Sequence, residues 1–138
     1  MTAPASGMFI DASALVAIID QETDWKYLMA RLEQTDTRLT SPLAIWEAAN
    51  AMERLRAWGF DDAERAVNSF LDAMEIATID VTAQIGQEAL RAARLYGKGR
   101  HPARLNFGDC FAYACAKILG VPLLCKGNDF PQTDIELA

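Results

Sequence analysis

Histidine is almost absent from these 138 residues, with His101 the only one. A lone imidazole cannot build a zinc centre, which needs several His or closely spaced Cys ligands. The cysteines do not supply them: Cys110, Cys115 and Cys125 show no C-x-x-C spacing. They read as small buried thiols, which fits a reducing, cytoplasmic setting. No apolar run approaches the roughly 18 residues needed to span a bilayer. The opening residues, Met1 to Gly7, lack a basic start followed by an apolar stretch, so no signal peptide is visible and they read as a flexible lead. Repeats, linkers and low-complexity segments are also missing, and the length predicts one domain over residues 1–138.

One stretch without acids is rich in bases. From Ala89 to Gly108 the chain carries Arg91, Arg94, Lys98, Arg100 and Arg104 and no acid, although its net charge is −6. The total argues against a nucleic-acid ligand. The distribution argues for one, because a local basic strip beside an acidic site can hold a phosphate backbone. The competing reading is a solvated helix face whose basic end suits the helix dipole.

What the chain has is apolar residues, 51% of the total, enough for a real core. Strands are predicted at Met8–Asp11, Arg38–Thr40, Glu75–Ile79 and Val121–Cys125, with a possible edge strand at Ile135. Helices are predicted from Asp11 or Ser13 to Asp20, over Glu22–Glu33, from Ser41-Pro42 to Ala57, from a cap at Asp61, over Asp80–Tyr96, and from Asn106 to Leu119 before Gly120. Strands alternating with helices imply an α/β fold, a three-layer sandwich around a mostly parallel sheet of four to five strands. Such sheets place their sites at the carboxyl ends of the strands.

Four isolated acids stand in or beside apolar segments: Asp11, Glu47, Asp109 and Asp129. Burying an ionised carboxylate without a partner costs several kcal/mol. Each also has a simpler explanation. Asp11 could be only the N-cap of the next helix, with Ser13 its hydrogen-bond partner. Glu47 shares a helix side with Asn50 and Arg54 and could be solvated. Asp109 could serve only the positive end of its helix. Asp129 lies in the turn-rich Lys126-Gly127-Asn128-Asp129 loop, where Asn and Asp are common for local reasons. Asp134 and Glu136 read as solvated tail acids. If the four acids converge, each pair about 5 Å apart repels by roughly 3 kcal/mol at an effective dielectric near 20. All-oxygen donors then suit Mg²⁺ or Mn²⁺ rather than zinc.

These residues together resemble the PIN-domain ribonucleases, and among them the VapC-type toxins of bacterial toxin–antitoxin systems. The matching segments are Phe9-Ile10-Asp11-Ala12-Ser13-Ala14-Leu15, Ser41-Pro42 leading to Glu47, His101-Pro102-Ala103 through Ala114, and Lys126-Gly127-Asn128-Asp129-Phe130. The resemblance implies a metal site of Asp11, Glu47, Asp109 and Asp129 at the sheet's carboxyl edge, with Ser13 and Asn128 in support. It implies hydrolysis of RNA phosphodiesters by metal-activated water, leaving a 5′-phosphate and a 3′-hydroxyl. Arg100, His101 and Arg104 would position the RNA backbone. A homodimer and a cognate antitoxin protein are the implied partners. Two alternatives stand beside this: a non-catalytic binding module on the same fold, and a phosphohydrolase with an aspartyl nucleophile, whose usual second acid two residues on is here replaced by Ser13.

Overall fold

The structure is a computed structural model, and it describes residues 6–138; Met1–Ala5, most of the expected lead, lie outside the described residues. Four strands form one parallel sheet: β1 (Gly7–Ile10), β2 (Thr37–Thr40), β3 (Ile76–Thr78) and β4 (Leu123–Leu124). Six helices connect them: α1 (Ala12–Ile19), α2 (Trp25–Glu33), α3 (Pro42–Arg56), α4 (Phe60–Ala73), α5 (Ala83–Tyr96) and α6 (Phe107–Leu119). The predicted α/β/α sandwich is present, and every strand pair is parallel.

Ser6 and Gly7 are not part of a loose lead. Gly7 pairs with Thr37, and the Ser6 carbonyl accepts the Thr37 N–H at 2.9 Å. The expected edge strand near Ile135 is reduced to a single bridge, Leu137 beside Leu123. Asp134 is exposed, as expected of a tail acid, but its carboxylate is engaged. It accepts from Tyr113 Oη at 2.5 Å and Lys117 Nζ at 2.8 Å, which ties the tail to α6. The Lys117 bond and then the Tyr113 bond hold its carboxyl below the usual range.

The strands alternate by side. Met8, Ile10 and Leu124 face a core shared with α1, α2, α3 and α4. Phe9 and Leu123 face a second core built with α5 and α6. This is the near-continuous apolar run expected of a strand covered on both faces. Some helix ends differ from expectation. α4 starts at Gly59 with no side-chain cap, and Asp61 and Asp62 occupy its first turn instead of capping it. α3 ends with Ala57 in the left-handed region, φ 54°, where glycine is the usual choice. α5 starts at its Thr82 cap rather than at Asp80. Among the described residues no helix is long and apolar enough to cross a membrane.

The strand order is β3-β2-β1-β4. The chain moves outward from β1 through β2 to β3, then returns across the sheet to lay β4 on the other side of β1. The reversal lies between β1 and β4. A crevice opens beyond the carboxyl ends of the strands at such a switch point.

Candidate active site

Asp11 is the first residue beyond β1 and stands at that crevice. It is 4% exposed. Its backbone is extended, and it caps α1 as one reading of the sequence had it. Oδ2 accepts from Ser13 N at 3.1 Å and from Ser13 Oγ at 2.6 Å. Ser13 Oγ in turn accepts the N–H of Lys126 at 3.0 Å. One serine therefore joins the residue after β1 to the loop after β4. Burial pushes the Asp11 carboxyl up, against the lowering effect of the Ser13 bonds.

Glu47 projects from the second turn of α3 and is half-buried. Its carboxylate lies against the backbone of Gly108 in the first turn of α6. A Cβ at Gly108 would collide with both of its oxygens. Glycine costs roughly 0.5–1 kcal/mol against alanine inside a helix, and here the cost keeps room for a carboxylate. Burial first, then the charges of Asp11 and Asp109, push Glu47 up to about 7.

Asp109 closes a capping box at the start of α6. Its N–H donates to Asn106 Oδ1 at 2.9 Å, and its Oδ2 accepts the Asn106 N–H at 3.1 Å. Despite that bond, burial and the charges of Asp11 and Asp129 push it up to about 6. The Cys125 thiol is pushed up to about 12, by burial and then by Asp11 and Asp109, so a fourth neighbour feels the same negative field.

Asp129 is exposed, at the head of a 3₁₀ turn (Phe130–Gln132), and its side chain caps nothing. Its charge reaches Asp109. Asn128 is exposed too, and its one described hydrogen bond uses the backbone carbonyl, which accepts from Gln132 Nε2 at 3.1 Å.

The structure thus brings Asp11, Glu47 and Asp109 into mutual electrostatic reach, with Asp129 at the rim. Among the described residues no ion pair involves any of the four. No group of three among the described acids, His or Cys is drawn together closely enough to hold a metal ion by itself. Mg²⁺ keeps several waters and is commonly bound through only one or two carboxylates. The donor set is oxygen throughout and has no neutralising base, as a hard divalent cation requires.

Of the basic strip, Arg91 and Arg94 lie on α5, and Lys98, Arg100 and Arg104 lie on the loop between α5 and α6, closed at its base by the Gly97–Leu105 bridge. Arg100 and Arg104 are exposed and enter none of the described ion pairs. His101 has a different place. Its Nδ1 accepts the Ala103 N–H at 3.0 Å, and its ring meets Tyr96 edge-on at 5.1 Å. It braces the loop that carries the two arginines. Lys126 N and Gly108 were not singled out by the sequence. Gly108 carried a usable signal, a glycine in a helix turn where alanine is preferred.

The family model for the PIN domain matches residues 8–136. The chain belongs to the PIN-domain family. As a PIN domain it is 41% identical to a VapC ribonuclease of Rhizobium meliloti, over 92% of this chain and 98% of that protein. It is 42% identical to Ribonuclease VapC30 of Mycobacterium tuberculosis, over 93% and 95%. In fold it is similar to Mycobacterium tuberculosis VapC20, described as a Sarcin-Ricin loop cleaving toxin, with a TM-score of 0.73 and 16% identity over 95% of this PIN domain and 98% of that chain. It is also similar to VapBC-1 of nontypeable Haemophilus influenzae, with a TM-score of 0.72 and 16% identity over 96% of each chain.

Proposed function

We propose that this PIN domain is a Mg²⁺- or Mn²⁺-dependent endoribonuclease and the toxin of a toxin–antitoxin pair. The observation that carries the reading is the convergence of Asp11, Glu47 and Asp109 at the β1/β4 switch point, with two of them held at about 7 and about 6. Carboxylates raised in this way by burial and by one another mark a functional site, and a cation relieves both causes. The ribonuclease names of the two sequence relatives support RNA as substrate.

When bound, a divalent cation supplies charge neutralisation at the phosphate and lowers the pKa of water. Asp11, Glu47 and Asp109 would hold it, with Asp129 acting from the rim. Ser13 holds Asp11 by Oδ2, which fixes the rotation of the carboxylate. Asn106 holds Asp109 by Oδ2 in the same way. Glu47, near 7, gives up its proton when a cation arrives, so binding is coupled to proton release at neutral pH. Arg100 and Arg104 anchor the RNA backbone, while His101 keeps their loop in shape. A cognate antitoxin and a second copy of the chain complete the proposed assembly, and the toxin–antitoxin complexes among the fold neighbours support the antitoxin.

The test is cleavage of a mixed, structured RNA pool with Mg²⁺ or Mn²⁺ and with EDTA, beside Asp109→Asn. Cutting should require the metal, leave 5′-phosphates, and vanish in the variant. Metal-independent cutting, or wild-type rates from Asp109→Asn, would overturn the assignment.

A further inference from the structure

Two large aromatic side chains stand exposed on either side of the Glu47–Gly108 contact: Trp46, 65% exposed, on α3, and Phe107, 70% exposed, at the start of α6. Both line one small cavity of about 210 Å³, together with Leu43, Glu47 and Asn106. That is below the roughly 300 Å³ at the lower end for whole drug-sized ligands. Each aromatic is also shared with a larger groove. Phe107 belongs as well to a groove of about 1030 Å³ between α5 and α6 that carries Lys98 and Arg100. Trp46 belongs as well to a groove of about 540 Å³ beside α1 that carries Arg54, and Lys126 paired with Glu22. The three hollows share lining residues and run past Glu47, with Lys98 and Arg100 toward one end, Arg54 toward the other, and one of the two aromatics at each junction. Lys98, Arg100 and Arg54 enter none of the described ion pairs, so their charge is available to a ligand.

We propose that Trp46 and Phe107 are base-stacking residues, which seat the nucleobases on either side of the phosphate held over Asp11, Glu47 and Asp109. The proposal rests on the nuclease reading and adds residues that set how the strand lies and which bases flank the cut. The pattern matches the chemistry of a single nucleic-acid strand: positive groups for successive phosphates and aromatic faces for unpaired bases. Phe107 is steadied for this role by Phe111, whose ring centroid is 5.0 Å away. Asn50 Nδ2 donates to the Trp46 carbonyl at 2.8 Å, which ties the backbone and leaves the indole outside.

The experiment measures binding in EDTA, where no turnover is needed, by fluorescence anisotropy of a labelled 2′-O-methyl RNA oligonucleotide and an abasic strand of equal length. Full-length wild type, Trp46→Leu, Trp46→Phe and Phe107→Leu are compared after their melting temperatures are matched. Stacking predicts that Trp46→Leu weakens the base-bearing strand by roughly 5- to 150-fold. It predicts that Trp46→Phe restores most of the loss, that Phe107→Leu behaves like Trp46→Leu, and that the abasic strand ignores all three changes. Unchanged binding overturns the proposal, and so does an equal loss on the abasic strand. If Trp46→Leu converts a dimer to a monomer and binding falls only with dimer content, a second copy covers these aromatics and the proposal fails. A wild type that binds through both aromatics but never cuts RNA sinks the nuclease reading and leaves the stacking residues standing.

Discussion

Replacing Glu47 by Gln should make the metal-free protein more stable, by an amount that grows from about pH 4.5 and is full above pH 7. In the folded protein Glu47 rises from 4.5 to about 7, so the fold binds its proton more tightly than the unfolded chain does. Where the folded state holds more protons, stability falls as pH rises. The loss from this residue therefore begins near pH 4.5 and is complete above pH 7. At about 1.4 kcal/mol per tenfold, the rise is worth at most about 3 kcal/mol. The half-exposed position screens part of it, which leaves about 1–2 kcal/mol. Asp109 adds a loss in the same direction between 3.8 and about 6. For a chain of this size, 1–2 kcal/mol is a shift of roughly 3–8 °C in melting temperature. The assay is thermal unfolding of wild type and Glu47→Gln at pH 4.5 and pH 8, with EDTA and with Mg²⁺. The variant should melt with wild type at pH 4.5 and several degrees above it at pH 8 in EDTA. Mg²⁺ should stabilise wild type at pH 8 and close that gap. A variant equal to or below wild type at pH 8 would refute the reasoning, because Glu47 would then carry no uncompensated charge.

Gly108→Ala tests the contact between α3 and α6. The methyl must displace the Glu47 carboxylate, while alanine recovers about 0.5–1 kcal/mol of helix propensity. Stability should change by less than about 1 kcal/mol, and metal affinity and RNA cleavage should drop at least about tenfold; wild-type cleavage would show that Glu47 is not needed where it stands. Arg104→Ala should weaken RNA binding and lower the slope of log affinity against log salt by about one phosphate contact. An unchanged slope, measured by anisotropy across a salt series, would remove this arginine from the groove.

How far the sequence could be read depended on whether the deciding contact was local. Asp11 with Ser13, Ser41 at the head of α3, and Asn106 with Asp109 are caps closed within three residues, and their spacing gave them away. Gly120 ending α6 at φ 69° is equally local. The apolar runs at Phe9 and Leu123 announced strands covered on both faces. Other features depend on the fold. Nothing within α6 says that Gly108 faces a carboxylate sixty-one positions earlier in the chain. Ala57 takes the left-handed turn that glycine usually fills, with Gly59 two places on serving as the start of α4. His101, expected beside the arginines as a contact for the RNA backbone, also packs its ring on Tyr96 and accepts a backbone N–H at Nδ1, contacts that only the folded loop creates. The four acids could be picked out one at a time from their apolar surroundings. Their meeting depends on the return of the chain to β4 beside β1, which brings the Lys126 N–H onto Ser13.

The central claim is that the acids at the β1/β4 switch point make one cation site. Titration calorimetry with Mn²⁺ at pH 7, repeated in two buffers of different ionisation enthalpy, tests it most directly. Wild type should bind the ion and release protons chiefly as Glu47 ionises, while Asp11→Asn and Asp109→Asn bind at least about tenfold more weakly. Binding of equal strength in all three proteins, or binding without proton release, would contradict the account.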